Sequence, residues 1–291
     1  MAKYIYQLPG WPEFYWSDDA VSAPLAAVRH RQGLLLGRME GLGFAQRAET
    51  ELQAHTLDVV KSSEIEGESL DESQVRSSIA RRLGLDIAGL VPSDRNVDGV
   101  VEMSLDAARN YLQPLTSARL FHWHRLLFPE GGQKFVAGAW RDDADGPMQV
   151  VSGPLGRERV HYQAPPADVL PAEMSAFLEW ANRDDAADPV LRAAVMHLWF
   201  VTLHPFCDGN GRIARAIADW GLARSEKVSS RFYSVSAQIR AERKAYYDVL
   251  ERSQKGTLDI TAWLLWFFGC LDRALEGAEV SLSGVFRRER F

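Results

Sequence analysis

The stretch His204-Pro205-Phe206-Cys207-Asp208-Gly209-Asn210-Gly211-Arg212-Ile213-Ala214-Arg215 brings a base, a carboxylate, two glycines and two arginines together within twelve residues. Gly209 and Gly211 let the backbone approach a ligand closely. A helix opening directly after them would aim its free N–H groups and its dipole at an anion. The result is a phosphate cradle without a P-loop lysine. Arg212 and Arg215, three apart at the start of that helix, can hold further phosphate oxygens with their guanidinium forks. Asp208 is a hard oxygen donor suited to Mg²⁺ bridging phosphates. His204 stands at the edge of the cradle, and an imidazole of ordinary pKa, about 6.5, suits a general base acting on a hydroxyl. Each residue alone is commonplace in a structural turn, and the joint arrangement points to chemistry on a phosphate ester.

The elements that must position these groups read as helices. Residues 189–203 are apolar almost all round (Val190, Leu191, Val195, Met196, Leu198, Trp199, Phe200, Val201), the mark of a central buried helix, and they run straight into His204. Further helices are predicted over 71–83, with Asp71 as N-cap, and over 97–112, 116–127, 167–182, 212–224, 237–253 and 261–276. Residues 26–65 read as helical with a break at Gly41-Leu42-Gly43 and a stop at Gly67. Ser62 and Glu66, four apart, share one face at the end of that helix, so the Glu66 carboxylate can project from its tip. The first 25 residues carry Tyr4, Tyr6, Trp11, Pro12, Phe14, Tyr15 and Trp16, and read as an extended strap whose rings cover the core. Between 131 and 166 the composition shifts to Gly, Pro and Asp, and β-favouring stretches at 148–152 and 160–163 flank Gly153-Pro154-Leu155-Gly156. A hairpin inside an otherwise all-α protein is the expected fold class, as a single domain with no internal repeat.

The chain has 291 residues, 46% hydrophobic and 25% charged, enough for a sizeable core. Its net charge of −6 and pI near 5.7 give no general basic surface for a nucleic-acid backbone or an anionic membrane, so neither partner is expected. The longest strongly apolar run, 263–271, is far short of the ~20 residues that span a bilayer. The cysteines, Cys207 and Cys270, are too few for a disulfide framework, which predicts a reducing, cytoplasmic setting. Cys207 reads as a small buried residue. His122 and His124, two apart on a predicted helix, point to different sides and do not form a joint metal site.

The segment from His204 to Arg215 resembles the signature of Fic-domain proteins, H-x-F-x-D/E-G-N-G-R-x-x-R, and matches it at every specified position. The resemblance implies a Fic-type helical bundle with a small β-hairpin flap and a protein adenylyltransferase activity. AMP would pass from the co-substrate ATP to a Tyr, Thr or Ser hydroxyl of a target protein, with Mg²⁺ as cofactor and pyrophosphate as leaving group. By position it implies that His204 deprotonates the hydroxyl and that Asp208 binds the metal. Asn210 and the backbone from Gly209 through Gly211 to Arg212 would hold the α- and β-phosphates, Arg215 would grip the γ-phosphate, and Phe206 would anchor the core. Ser62-Ser63-Glu64-Ile65-Glu66-Gly67 is similar to the S/T-x-x-x-E-G/N motif of an inhibitory helix found in many Fic proteins. It stands ahead of the catalytic core, as in the class II type, and implies that Glu66 pairs with Arg215 in place of the γ-phosphate. The resemblance further implies that the hairpin, through Val151, Ser152, Gly153, Val160, His161 and Tyr162, pins a target segment by strand addition. Tyr246-Tyr247 match a paired tyrosine beside the nucleotide, one stacking on adenine; neighbours on one helix face differently, so the other belongs to the core. The implied divisions are an N-terminal region over 1–95 with the inhibitory helix at about 45–67, a catalytic core over 96–276 and a tail over 277–291, where related chains often continue into a winged-helix module. Self-modification and a homodimer fit the same picture. Two other readings of the site remain: a hydrolase that removes AMP, with Glu66 orienting water, and a catalytically silent nucleotide sensor.

Overall fold

The helix over 189–203 is enclosed on every side, each side chain from Val190 to Leu203 being buried. Its start is fixed by the Asp188 carboxylate, which accepts from the Val190 N–H at 2.8 Å, with Pro189 in the first turn where its missing N–H is not needed. In the computed structural model, which describes residues 3–131, 135–154, 157–183 and 187–288 and side chains as far as Ser281, this helix is the seventh of eleven. In chain order they are α1 Asp18–Glu40, α2 Phe44–Ile65, α3 Glu72–Leu83, α4 Arg95–Arg109, α5 Ser117–Leu127, α6 Leu170–Asn182, α7 Pro189–Leu203, α8 Asn210–Glu226, α9 Val235–Ala241, α10 Arg243–Gln254 and α11 Thr261–Arg288. Strands β1 Gln149–Ser152 and β2 Arg159–Gln163 form one antiparallel hairpin between α5 and α6.

Helix α8 lies along α7, α6 and α11 flank α7, α4 and α5 close on α8, and α2 rests against α3 and α9. One apolar cluster takes in residues from Ile5 to Leu275, so the N-terminal region shares its core with the predicted catalytic part. Two close approaches depend on glycine. A Cβ at Gly221 on α8 would meet Ala193 of α7, and one at Gly99 on α4 would overlap the backbone carbonyl of Leu126 on α5.

Most predicted helices are present, with shifted limits. Helix α1 begins at Asp18, inside the segment expected to be extended. Ser17 caps it by accepting from the Ala20 N–H, Asp18 and Asp19 suit its first turn, and Pro24 is carried within the helix. The helix expected over 237–253 is two, α9 and α10, broken at Glu242, whose carboxylate is held by Arg273 of α11 at 2.6 and 2.7 Å. Helix α11 runs on to Arg288 where a stop at 276 was expected. The remaining strap does cover the core: Trp11 and Phe14 meet Trp199 edge-on at 6.1 and 5.7 Å, and the Trp11 indole N–H donates to Glu173 at 2.9 Å. Leu155 and Gly156 of the predicted turn lie outside the described residues.

Gly99→Ala should lower stability. Alanine gains about 1 kcal/mol of helix propensity, but overlap with an immovable carbonyl costs about 1–3 kcal/mol. Thermal unfolding should show a Tm a few degrees below wild type, whereas Gly37→Ala, with open space at its Cβ, should hold or raise it.

Candidate active site

His204 terminates α7 in the left-handed region, φ 49° and ψ 56°, with its N–H on the Phe200 carbonyl at 2.9 Å. A non-glycine residue there is strained, and the reversal turns the imidazole out of the helix into a cleft of about 830 Å³. Nδ1 lies 3.4 Å from the Val201 carbonyl, which can only accept, so the proton sits on Nδ1 and Nε2 carries the lone pair. The ordinary imidazole pKa expected from sequence is not kept: burial pushes His204 down to about 4, which leaves it an uncharged base at neutral pH.

The turn after His204 is held from within. Phe206 is fully buried, with the His124 ring stacked on it at 4.2 Å. His124 and His122 do point to different sides, the former buried and the latter half exposed. Asn210, assigned to phosphate by resemblance, does otherwise. Its Oδ1 accepts from the Phe206 N–H at 3.0 Å and its Nδ2 donates to the Phe206 carbonyl at 2.7 Å, so the amide closes the loop on itself. The backbone N–H groups of Asn210, Gly211 and Arg212 open α8 and have no helical acceptors, and Gly209, at φ 77°, supplies no side chain to cap them. That end of α8 keeps its anion-binding capacity. Asp208 is exposed at the same turn, with Oδ1 on the Gly209 N–H at 2.5 Å. Among the described residues no three His, Cys, Asp or Glu side chains could hold a metal together. A hard cation at Asp208 would therefore share its coordination with phosphate oxygens and water.

The end of α2 closes over this cradle. Gly67, at φ 85°, permits the turn in which the Glu68 N–H returns to the Ser63 carbonyl at 3.0 Å and the Gly67 N–H to Glu64 at 3.2 Å. The turn delivers Glu66 onto Arg215: Glu66 Oε1 is 2.7 Å from Nη2, while Ser62 receives Nε at its hydroxyl, 2.8 Å, and Nη2 at its carbonyl, 2.9 Å. Burial alone would pull the Arg215 pKa down, but Glu66 beside it holds the guanidinium above its ordinary value. The carboxylate sits directly over Gly211, where a Cβ would overlap it. Arg212 has an acid of its own. Its Nη1 donates to Glu68 at 2.5 Å with the guanidinium 5.3 Å above the Phe128 ring, a pairing no short sequence motif announces.

The hairpin forms the opposite wall. Val151 and Ser152 are exposed at the cleft, but Tyr162, expected on the target side, is buried, with its hydroxyl on the Thr202 carbonyl at 2.7 Å and its ring edge-on to Tyr4 at 5.1 Å. A register shift between Val150 and Val151 means the pairing does not follow simple alternation. Val160 and His161 are half-buried and Gly153 takes φ 106° at the turn. His161 links both strands to α10: Ser152 Oγ donates to its Nε2 at 2.5 Å and its Nδ1 donates to Glu251 at 2.7 Å, with Arg159 and Lys255 on the same carboxylate at 3.1 and 2.6 Å. Lys255 and His161 together hold Glu251 down to about 2. The adjacent tyrosines both border the cleft but differ in burial. Tyr246 is buried at the cleft floor, its hydroxyl 2.9 Å from His197 Nε2, and Tyr247 is the more exposed, beneath Arg243. Cys207 is exposed at the cleft mouth, contrary to the buried position expected. Arg141 was missed as well: fully buried, it bonds the His204 carbonyl at 2.8 Å and the Pro165 carbonyl at 2.5 Å, tying the base-bearing turn to the segment that leaves the hairpin.

Residues 114–222 match the model of the Fic/DOC family, and residues 4–85 match a domain of unknown function, DUF4172. The chain is 33% identical over 120 residues to a uridine 5'-monophosphate transferase of Xanthomonas campestris, which covers 38% of this chain and 21% of that protein. It is 28% identical over 246 residues to a protein adenylyltransferase Fic of Culex quinquefasciatus, covering 79% of this chain and 42% of the relative. The chain thus spans well under half the length of these relatives. Its fold is that of a Fic family protein from Desulfovibrio desulfuricans, with TM-score 0.68 and 23% identity over 92% of this chain and 76% of the other. A Fic domain containing signaling protein from Bacteroides thetaiotaomicron gives TM-score 0.63 at 19% identity, over 88% and 98%.

Two measurements check the geometry. In histidine-labelled protein at about pH 6, NMR should find His204 as the neutral Nδ1–H tautomer; an imidazolium at that pH would contradict its burial. Glu251→Gln should speed amide exchange in β1 and β2 roughly 2- to 5-fold by weakening exposed pairs, leaving α7 unchanged.

Proposed function

We propose that this chain, with a Fic domain over residues 114–222, transfers AMP from ATP to a protein hydroxyl and is restrained in cis by Glu66. The observation that carries the reading is the Glu66 carboxylate seated over Gly211 and paired with Arg215, at the N-terminus of α8, where a polyphosphate would otherwise bind. Relatives named protein adenylyltransferase, at 25–28% identity, support the choice of ATP.

In the transfer, the target hydroxyl oxygen attacks the α-phosphorus, its proton passes to Nε2 of His204 and pyrophosphate leaves. The Nδ1–H to Val201 bond fixes the ring so that Nε2 faces the cleft. A pKa of about 4 makes His204 a weak base in the closed state. A polyanion entering beside it favours the protonated form and raises that value toward the working pH. The free N–H groups at Asn210, Gly211 and Arg212 and the two guanidinium groups stabilise charge on the phosphates, and such stabilisation usually accounts for most of the rate gain in chemistry of this kind. Mg²⁺, when bound, would be held by Asp208 and would neutralise phosphate charge. Tyr247 would offer its ring to the base, and the outer edge of β1 offers backbone groups to an extended target segment.

With Arg215 3% and Glu66 30% exposed, their pair is worth roughly 1–2 kcal/mol, or about 5- to 30-fold in nucleotide affinity. No helix among the described residues is long and apolar enough to cross a membrane. Free Cys207 and Cys270 fit a cytosol that supplies ATP. A second reading, UMP transfer, is favoured by the Xanthomonas relative.

Intact-mass analysis after incubation with ATP or UTP and Mg²⁺ tests this. Glu66→Gly should gain an AMP-sized mass on itself, wild type little, and Glu66→Gly with His204→Ala none. Equal labelling of wild type and Glu66→Gly removes the restraint, labelling that survives His204→Ala removes the base, and a gain from UTP alone replaces AMP with UMP.

A further inference from the structure

We infer that the turn after α2 carries a second restraint, Glu68 on Arg212, that acts on the nucleotide independently of Glu66; the inference rests on the reading above, in which this cleft binds a nucleoside polyphosphate.

The geometry is that of two acids matched to two cations. Arg212 and Arg215 lie three apart on α8 and project side by side. Glu66 and Glu68 lie two apart on a turn whose backbone is closed by the Ser63–Glu68 and Glu64–Gly67 hydrogen bonds, so their spacing is fixed by backbone and not by side-chain choice. Each acid takes a different arginine, Glu66 to Arg215 at 2.7 Å and Glu68 to Arg212 at 2.5 Å. Chemically the turn presents two anionic heads to the cradle, as a polyphosphate does.

Arg212 has the features of a covered ligand group. Its side chain is 1% exposed and lies against Phe128, while Glu68, on its outer side, is 40% exposed. Its Nε is buried without a hydrogen-bond partner, so the guanidinium keeps a donor that Glu68 does not use. Loss of the Glu66 carboxylate frees Arg215 and leaves Arg212 paired. Competition by Glu68 is therefore felt by any nucleotide with phosphates near the start of α8, whereas Glu66 competes for Arg215, which the resemblance assigns to the terminal phosphate of ATP. Diphosphate and triphosphate nucleotides should separate the two.

Calorimetric titration with MgATP and MgADP, all variants carrying His204→Ala to prevent turnover, tests this. Glu68→Gln should tighten both nucleotides roughly 3- to 10-fold, between an exposed and a buried pair. Glu66→Gln should tighten ATP and leave ADP within about 2-fold, and the double variant should combine the gains. Thermal unfolding checks that each variant folds, and Glu68→Ala, which removes the acceptor altogether, must agree in direction. Unchanged affinity in Glu68→Gln for both nucleotides overturns the inference. Weaker affinity does so too, because Glu68 would then orient Arg212 for phosphate instead of competing with it. If Glu68→Gln behaves as stated while Glu66→Gln does not tighten ATP, the Glu66 restraint fails and the Glu68 restraint stands. If no variant binds either nucleotide, the nucleotide reading itself fails.

Discussion

Arg215 is buried in a helical interior, and a guanidinium cannot lose its proton to relieve that burial. It must be matched by acceptors, and those that its Nε and Nη2 reach come from one place, the end of α2: the Ser62 hydroxyl, the Ser62 carbonyl and the Glu66 carboxylate. That requirement determines where α2 stops relative to α8. It also explains why the N-terminal region shares a core with the rest of the chain. Asp58, two turns earlier on α2, accepts from Ser234 and Ser236 at 2.6 and 3.1 Å, so the helix that reaches Arg215 is anchored to α9 further back along its length. A mobile α2 would leave a buried charge unpaired, at a cost of several kcal/mol.

What could be read from the sequence follows from how local each interaction is. The cradle from His204 to Arg215 lies in one contiguous stretch, its backbone shape encoded by glycines and its helix by the apolar run ahead of it. Ser62, Glu66 and Gly67 were visible because a helix end with an acid at its tip is also local. Roles settled by distant partners were not. Asn210 was assigned to phosphate by resemblance, and nothing in its neighbours' identities shows that its amide turns back onto Phe206. Tyr162 was placed on the target face by the resemblance, together with its neighbours Val160 and His161, whereas its contacts with Tyr4 and the Thr202 carbonyl hold it buried. Arg141, Glu68 and Glu251 act through partners 63, 144 and 90 residues away and carry no spacing that could reveal them. Charged residues in loops normally read as solvated surface. The α9–α10 break has the same origin, the cross-helix pair of Glu242 with Arg273, whereas the early start of α1 rests on a local signal, Ser17 as its cap.

The two walls of the cleft are built by different physics. On one side His204, the start of α8 and Tyr246 are fixed by close packing, where a displaced atom is felt through the core. On the other, a short pair of strands stands on Tyr162, His161 and Glu251, with an exposed outer face at Val151 and Ser152. Arg141 is the strut between them, since one guanidinium reaches both the His204 carbonyl and the Pro165 carbonyl.

That division has an evolutionary reading. A change at the exposed Val151 alters the hairpin's surface without removing a bond to Arg141, Tyr162 or Glu251, so that face can drift while the packed wall stays rigid. Lineages carrying this scaffold could vary that face at Val151 with little penalty in folding, whereas Val150 beside it is packed against the cluster of Tyr4 and Tyr162. The opposite wall has less such freedom, because Asn210, Arg212 and Arg215 at the start of α8 are also buried members of the interior.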